Sequence, residues 1–191
     1  MQKPNTGSHN AAEGNPGIFY AGDVGWGSRE ELDVITQGGQ NFGWPKYEGM
    51  TTQPGYNNTA FTPAVHELPR VDWRTGTARG LINGVIYNVG SAQLPGTSFT
   101  GNASTGGVWY TGTDFPATYR NTYFHADYGG GWIRNFSFDA NHNPTEVRDF
   151  ISNGGPIVYI ATHPQQGNLY YVKYPSEIHR VTYNSSNNQA P

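Results

Sequence analysis

Two stretches of the chain read as copies of one another. The first is Thr122-Tyr123-Phe124-His125-Ala126-Asp127-Tyr128, a small glycine turn, then Trp132-Ile133-Arg134-Asn135-Phe136. The second is Asn168-Leu169-Tyr170-Tyr171-Val172-Lys173-Tyr174, a Pro-Ser turn, then Ile178-His179-Arg180-Val181-Thr182. They lie 46 residues apart, within the ~40–50 residues that one four-stranded propeller blade occupies. Each consists of short aromatic or β-branched segments closed by Gly, Asn or Pro, the signature of strands separated by tight turns. The same signature recurs at 17–24, 31–36, 83–89, 107–112, 122–127, 132–139, 145–151, 157–162, 168–174 and 178–183. Four strands follow in succession between 107 and 151, one whole blade, whereas only three follow from 157 onward. A blade short of one strand is commonly completed by a strand from elsewhere in the chain. Short strands at regular spacing also suit a β-sandwich, and the pattern alone leaves both architectures open. Helical periodicity is nearly absent: the best segment, Arg29–Ile35, is too short, and Gly38-Gly39 cuts it off.

Composition agrees with an all-β chain. Charged residues make up 13%, about half the roughly 25% usual in globular proteins, while aromatics reach 14% beside 26 glycines and 13 prolines. That balance opposes disorder. A net charge of −3 with no basic run argues against nucleic acid, which needs a positive stripe. No apolar run approaches the ~20 residues of a membrane span, and Met1-Gln2-Lys3-Pro4 shows no signal-peptide core. The absence of cysteine excludes disulfides and thiolate chemistry and suits an extracellular or periplasmic protein. Along the chain, residues 1–14 read as a polar tail, 15–183 as the β body and 184–191 as a polar linker. Residues 49–81 show little strand pattern and read as a long surface insertion between blades.

Longer motifs bring in a resemblance. Gly22-Asp23-Val24-Gly25 is followed by Glu30-Glu31-Leu32-Asp33-Val34, then Gly38-Gly39-Gln40-Asn41-Phe42-Gly43-Trp44-Pro45 and Tyr47-Glu48-Gly49. This series resembles the soluble glucose/sorbosone dehydrogenases. Gly106-Gly107-Val108-Trp109-Tyr110, Phe115-Pro116-Ala117-Thr118-Tyr119-Arg120 and Gly167-Asn168-Leu169-Tyr170-Tyr171 resemble later blades of the same family. The resemblance covers roughly residues 15–183. It implies a six-bladed propeller of the sugar dehydrogenase type, represented here by a C-terminal part of about three to four blades. It further implies a secreted sugar (aldose) dehydrogenase-like protein that oxidises a sugar with pyrroloquinoline quinone and calcium. An open arc of blades is expected to associate, with a missing N-terminal half or with itself, through its apolar faces and free edges.

By position, the resemblance assigns calcium to the backbone carbonyls of Gly25 and Trp26, beside Asp23, oxygen donors of the kind calcium takes. It places cofactor contacts at Arg134 and Asp127. Other features oppose the chemistry. Thr113-Asp114 and Gly129-Gly130-Gly131 stand where cationic partners of an acidic quinone are expected, and charge-assisted pairs are the strong ones. No histidine matches the family's catalytic base, so no catalytic residue is assigned. No two histidines have the helical i, i+4 spacing of a zinc site. Glu30 and Glu31 cannot act as a glycosidase pair, because adjacent strand residues point to opposite faces. The alternative is a non-catalytic secreted propeller module that binds carbohydrate or protein. The expected outcome of reconstituting the chain with calcium and quinone is calcium retained at the Gly25–Trp26 ledge and no dye reduction with glucose or other aldoses, since a missing general base alone removes ~10²–10⁴-fold in rate. Turnover above that of an Asp23→Ala, Arg134→Ala control would contradict this.

Overall fold

The computed structural model describes residues 1–56, 58, 66–165 and 167–184. Among these, helix is limited to single 3-10 turns at Ala11–Glu13, Pro54–Tyr56 and Ala117–Tyr119. The strands are β1 (Phe19–Asp23), β2 (Arg29–Ile35), β3 (Tyr47–Glu48), β4 (Thr51–Thr52), β5 (Val71–Arg74), β6 (Arg79–Ile82), β7 (Val85–Asn88), β8 (Ser104–Tyr110), β9 (Thr122–Asp127), β10 (Trp132–Phe138), β11 (Pro144–Ile151), β12 (Ile157–Thr162), β13 (Leu169–Lys173) and β14 (Glu177–Val181). They form a five-stranded sheet in the order β1-β2-β5-β6-β7, a four-stranded sheet β8 to β11, a three-stranded sheet β12 to β14 and the small β3-β4 hairpin. All strand pairs in these sheets are antiparallel, and no sheet closes on itself.

The four-stranded sheet lies between the other two, and side-chain alternation explains how. On β9, Tyr123 and His125 point toward the five-stranded sheet, where they meet Tyr20 at 5.2 Å and Trp73 at 5.3 Å between ring centroids. Phe124 and Ala126, the alternate residues, join Ile157, Ile160, Leu169 and Val181 of the three-stranded sheet in a second core. The first core gathers Tyr20, Leu32, Val34 and Trp73 against Trp109, Trp132 and Phe136. A strand covered on both faces reads as a continuous buried run, and all six residues of β9 are buried. The hairpin turn between β6 and β7 is Asn83-Gly84, with φ of 49° and 80°, the positive pair that a two-residue turn between twisted strands requires.

Two sequence expectations need correction. The stretch 49–81 is not merely a surface insertion. It contains β5 and most of β6, central strands of their sheet, and Val71 and Trp73 are fully buried. Their shortness hid them: each is four residues long, and the pairing of Asp72 with Arg79, which donates from its Nε at 2.9 Å, shows only across the ladder. Residues 57 and 59–65 of that stretch lie outside the described residues. Nor is 1–14 only a tail, since Tyr20 N donates to Met1 O and Lys3 N to Ile18 O along the free edge of β1. Within the proposed linker 184–191, residues 185–191 lie outside the described residues.

Packing on both faces of the middle sheet sets a stability contrast. Phe124→Ala, at a fully buried position between the two outer sheets, is expected to cost ~3–5 kcal/mol. Ile178→Ala, at a side chain 75% exposed, is expected to cost less than ~0.5 kcal/mol. Urea unfolding of both variants measures the difference, and equal losses would contradict the packing described.

Candidate binding cleft

The β1–β2 connection leaves the sheet at Asp23 and returns at Arg29, bringing Asp23 directly opposite Glu31 in the ladder. Glu48, on β3, ties this loop down. Its Oε1 accepts from the backbone N–H of Gly27, Ser28 and Arg29 at 2.8, 2.7 and 3.0 Å. A Cβ on Gly25 would lie 1.5 Å from the Arg29 carbonyl and 2.4 Å from Glu48 Oε1, so the loop closes this tightly only with glycine. On the other side, Arg74 Nη1 donates to Glu30 Oε1 at 3.0 Å and approaches the Gly25 carbonyl at 3.4 Å. Arg74 holds a positive φ of 101°, a strained conformation for a residue with a side chain.

These contacts frame a cleft of about 330 Å³ whose lining includes the acids Asp23, Glu31 and Glu48 and the aromatic residues Trp26, Trp44 and Tyr47. Trp26 and Trp44 are 62% and 54% exposed. Their rings stand 6.4 Å apart and nearly perpendicular, and Tyr56 lies 5.5 Å from one and 6.0 Å from the other. Tyr47 stacks on His66 at 3.7 Å. Large exposed indoles gathered at one cleft are unusual on a surface with no use for them.

The acids differ in state. Burial, then Asp33 and Asp23 nearby, pushes the Glu31 carboxyl up to about 8 against a single opposing hydrogen bond from Gly49 N. Burial followed by Asp23 likewise pushes Asp33 up to about 8. Burial also acts on Glu48, but its three backbone donors outweigh it and hold that carboxyl below its ordinary range. The Gln53 side chain assists from outside hydrogen-bond geometry, and Glu48 Oε2 has no hydrogen-bond partner.

The cleft gathers Asp23, Gly25 and Trp26, but Asp127 and Arg134 are not part of it. Asp127 is fully buried and accepts from Trp73 Nε1, the N–H of Asn102 and Ala103, and Gly130 N at 2.7–3.2 Å. Arg134 pairs with Asp149, donates to the Thr97 carbonyl and lies over Phe99. Both side chains are spent on internal partners. The reading by position missed Glu48 as the organiser of the loop and Arg74 and Tyr56 altogether. Glu48 and Trp44 were visible within their motifs, but nothing local marked them as neighbours of Trp26.

The implied cofactors fit these residues poorly. Among the described residues lining the cleft there is no Lys, Arg or His, so a tricarboxylate quinone would face carboxylates and indoles. The Gly25 carbonyl, assigned to calcium by position, already accepts from Arg74. No cluster of three or more His, Cys, Asp or Glu able to hold a metal occurs among the described residues. His125 is fully buried, pushed down to about 3 chiefly by that burial, with its Nε2 2.9 Å from Ser104 Oγ.

Two outcomes follow from this geometry. At Arg74 the ion pair is lost with either substitution, but glycine relieves the strained φ, so Arg74→Gly should retain about 1 kcal/mol more stability than Arg74→Ala. Equal unfolding midpoints would show that the strain is negligible. Glu31 and Asp33 keep their protons in the folded chain well above the range in which an unfolded chain releases them. Between pH ~4 and about 8 the unfolded state therefore binds fewer protons. Their contribution is complete below the ordinary carboxylate range and is lost as pH rises toward 8. Denaturation at pH 5 and 8 should show the natural chain losing stability relative to a Glu31→Gln, Asp33→Asn double variant, and a pH-independent difference would contradict the assignment. No protein-family model and no curated protein matches the chain, so the functional reading rests on the cleft.

Proposed function

We propose that the three stacked sheets are successive blades of a β-propeller and that the cleft of Trp26, Trp44 and their neighbouring acids binds carbohydrate. Support for the propeller comes from strand order. The middle sheet and the three-stranded sheet each run outward in chain order from a first strand, and β8 lies against both β1 and β12, as inner strands do around an axis. The exposed Val158, Tyr159 and Ile178 favour association with further blades.

The single observation carrying the functional reading is the pair of exposed indoles set at a cleft lined with hydrogen-bond acceptors. A sugar ring presents an apolar face of C–H groups that packs on an aromatic ring, while its hydroxyls donate to carboxylates. The sugar dehydrogenase-like reading shares the substrate class and differs in chemistry. Its oxidation step needs a general base and a quinone, and the lining described above favours neither in this chain. Binding without oxidation, in an extracellular or periplasmic setting, is the reading that these residues support best.

Calorimetric titration with neutral oligosaccharides such as cellotriose and maltotriose tests it. Loss of one stacking indole removes about 1.4 kcal/mol, so Trp26→Ala and Trp44→Ala should each weaken binding about tenfold. Binding that survives both substitutions unchanged would overturn the assignment.

A further inference from the structure

Beyond a general affinity for sugars, the charge of the cleft selects among them. We infer that the Trp26–Trp44 cleft prefers sugars bearing a protonated amine, such as glucosamine oligomers, over neutral sugars and excludes uronates. The inference rests on the carbohydrate reading and names the class of sugar.

Its basis is an uncompensated negative lining. Glu48, held ionised, and Asp23 contribute to the cleft wall and no cationic side chain does, while Glu31 beside them keeps its proton at pH 6. The arginines nearest in the fold are occupied elsewhere. Arg74 is paired with Glu30 and reaches the cleft only through the Gly25 carbonyl, and Arg29 and Arg79 both lie against Asp72. Within the wall, Glu48 is 1% exposed and its Oε2 has no hydrogen-bond partner. A buried carboxylate oxygen without a donor is costly, and an ammonium entering the cleft supplies a compensating positive charge. The exposed indole faces add to this, because a cation over a tryptophan ring is attracted by its quadrupole. A uronate carboxylate would instead meet like charge in a partly desolvated space. Neutral sugars would retain the stacking and the hydroxyl donors, so they rank between the two.

The test is calorimetry on the full chain at pH 6 with three probes of similar size: glucosamine trisaccharide, cellotriose and galacturonic acid trisaccharide. The expected order is glucosamine at least tenfold tighter than cellotriose, and cellotriose at least tenfold tighter than the uronate. Added salt at ~0.5 M should shrink the preference for glucosamine while leaving cellotriose binding nearly unchanged, since the Debye length falls to a few Å. Glu48→Gln should cut the glucosamine preference to below threefold. Because Glu48 also ties down the loop, Asp23→Asn serves as the second variant and should reduce the ratio of glucosamine to cellotriose affinity. Equal affinity for glucosamine and cellotriose, or tighter binding of the uronate, overturns the inference and leaves the carbohydrate reading intact. Binding of none of the three overturns the carbohydrate reading, and the inference with it.

Discussion

The Asp127 carboxylate sits in a space closed to water and accepts four hydrogen bonds there. One comes from Trp73 on the five-stranded sheet, two from the backbone entering β8 and one from the turn between β9 and β10. A buried carboxylate is tolerated only when its acceptor capacity is filled in this way. The consequence is geometric, because a single side chain fixes the distance between two sheets and the path of two loops. Beside it, Glu30 accepts from Ser104 N and from Arg74, and Ser104 Oγ donates to the Glu31 carbonyl. The two sheets are thus joined by a polar seam as well as by the aromatic core behind it. Apolar contact alone would hold them together without fixing their register, since hydrophobic attraction is non-directional.

The cleft inherits its shape from that seam. Glu30 and Glu31 are neighbours in sequence but work on opposite faces of β2, one tying the sheets together and the other lining the cleft. Arg74, held in a strained conformation, links the seam to the Gly25 carbonyl, while Glu48 gathers the N–H groups on the far side of the same loop. Trp26 is therefore presented by a loop restrained from two directions, which lowers the ordering cost of binding. Burial and the nearby Asp33 and Asp23 raise the proton affinity of Glu31. Glu48, with three backbone donors, is held in its ionised form. This arrangement suits a site that recognises hydroxyls and cations, and it is a poor host for an anionic cofactor.

Much of the fold was legible from strand chemistry. The 46-residue repeat corresponds to β9–β10 and β13–β14, and the four strands expected between 107 and 151 form one antiparallel sheet. What escaped were β5 and β6, only four residues each, where Asp72, Arg74 and Arg79 stand among few apolar residues. A buried ion-pair ladder has no signature in a single sequence, because its members are recognisable only once they face each other. The site was half legible. Asp23, Gly25 and Trp26 stood out as a turn motif and do line the cleft, though Arg74 in the fold gives the Gly25 carbonyl a partner other than calcium. Asp127 and Arg134 stood out too, but their polarity serves the interior. Burial of a charged residue depends on partners far along the chain, Trp73 for Asp127 and Thr97 for Arg134, and strand spacing does not reveal them.

Two of the five tryptophans carry the proposed stacking of the sugar. Trp73, Trp109 and Trp132 are buried in the first core, whereas Trp26 and Trp44 stand exposed at the cleft. Indole N–H signals in a proton–nitrogen correlation spectrum distinguish all five. Titration with an oligosaccharide should shift the signals of Trp26 and Trp44 in a saturable manner and leave the other three in place. Saturable shifts confined to the buried three, or binding measured by calorimetry with no movement of Trp26 and Trp44, would contradict the assignment of the cleft as the binding site.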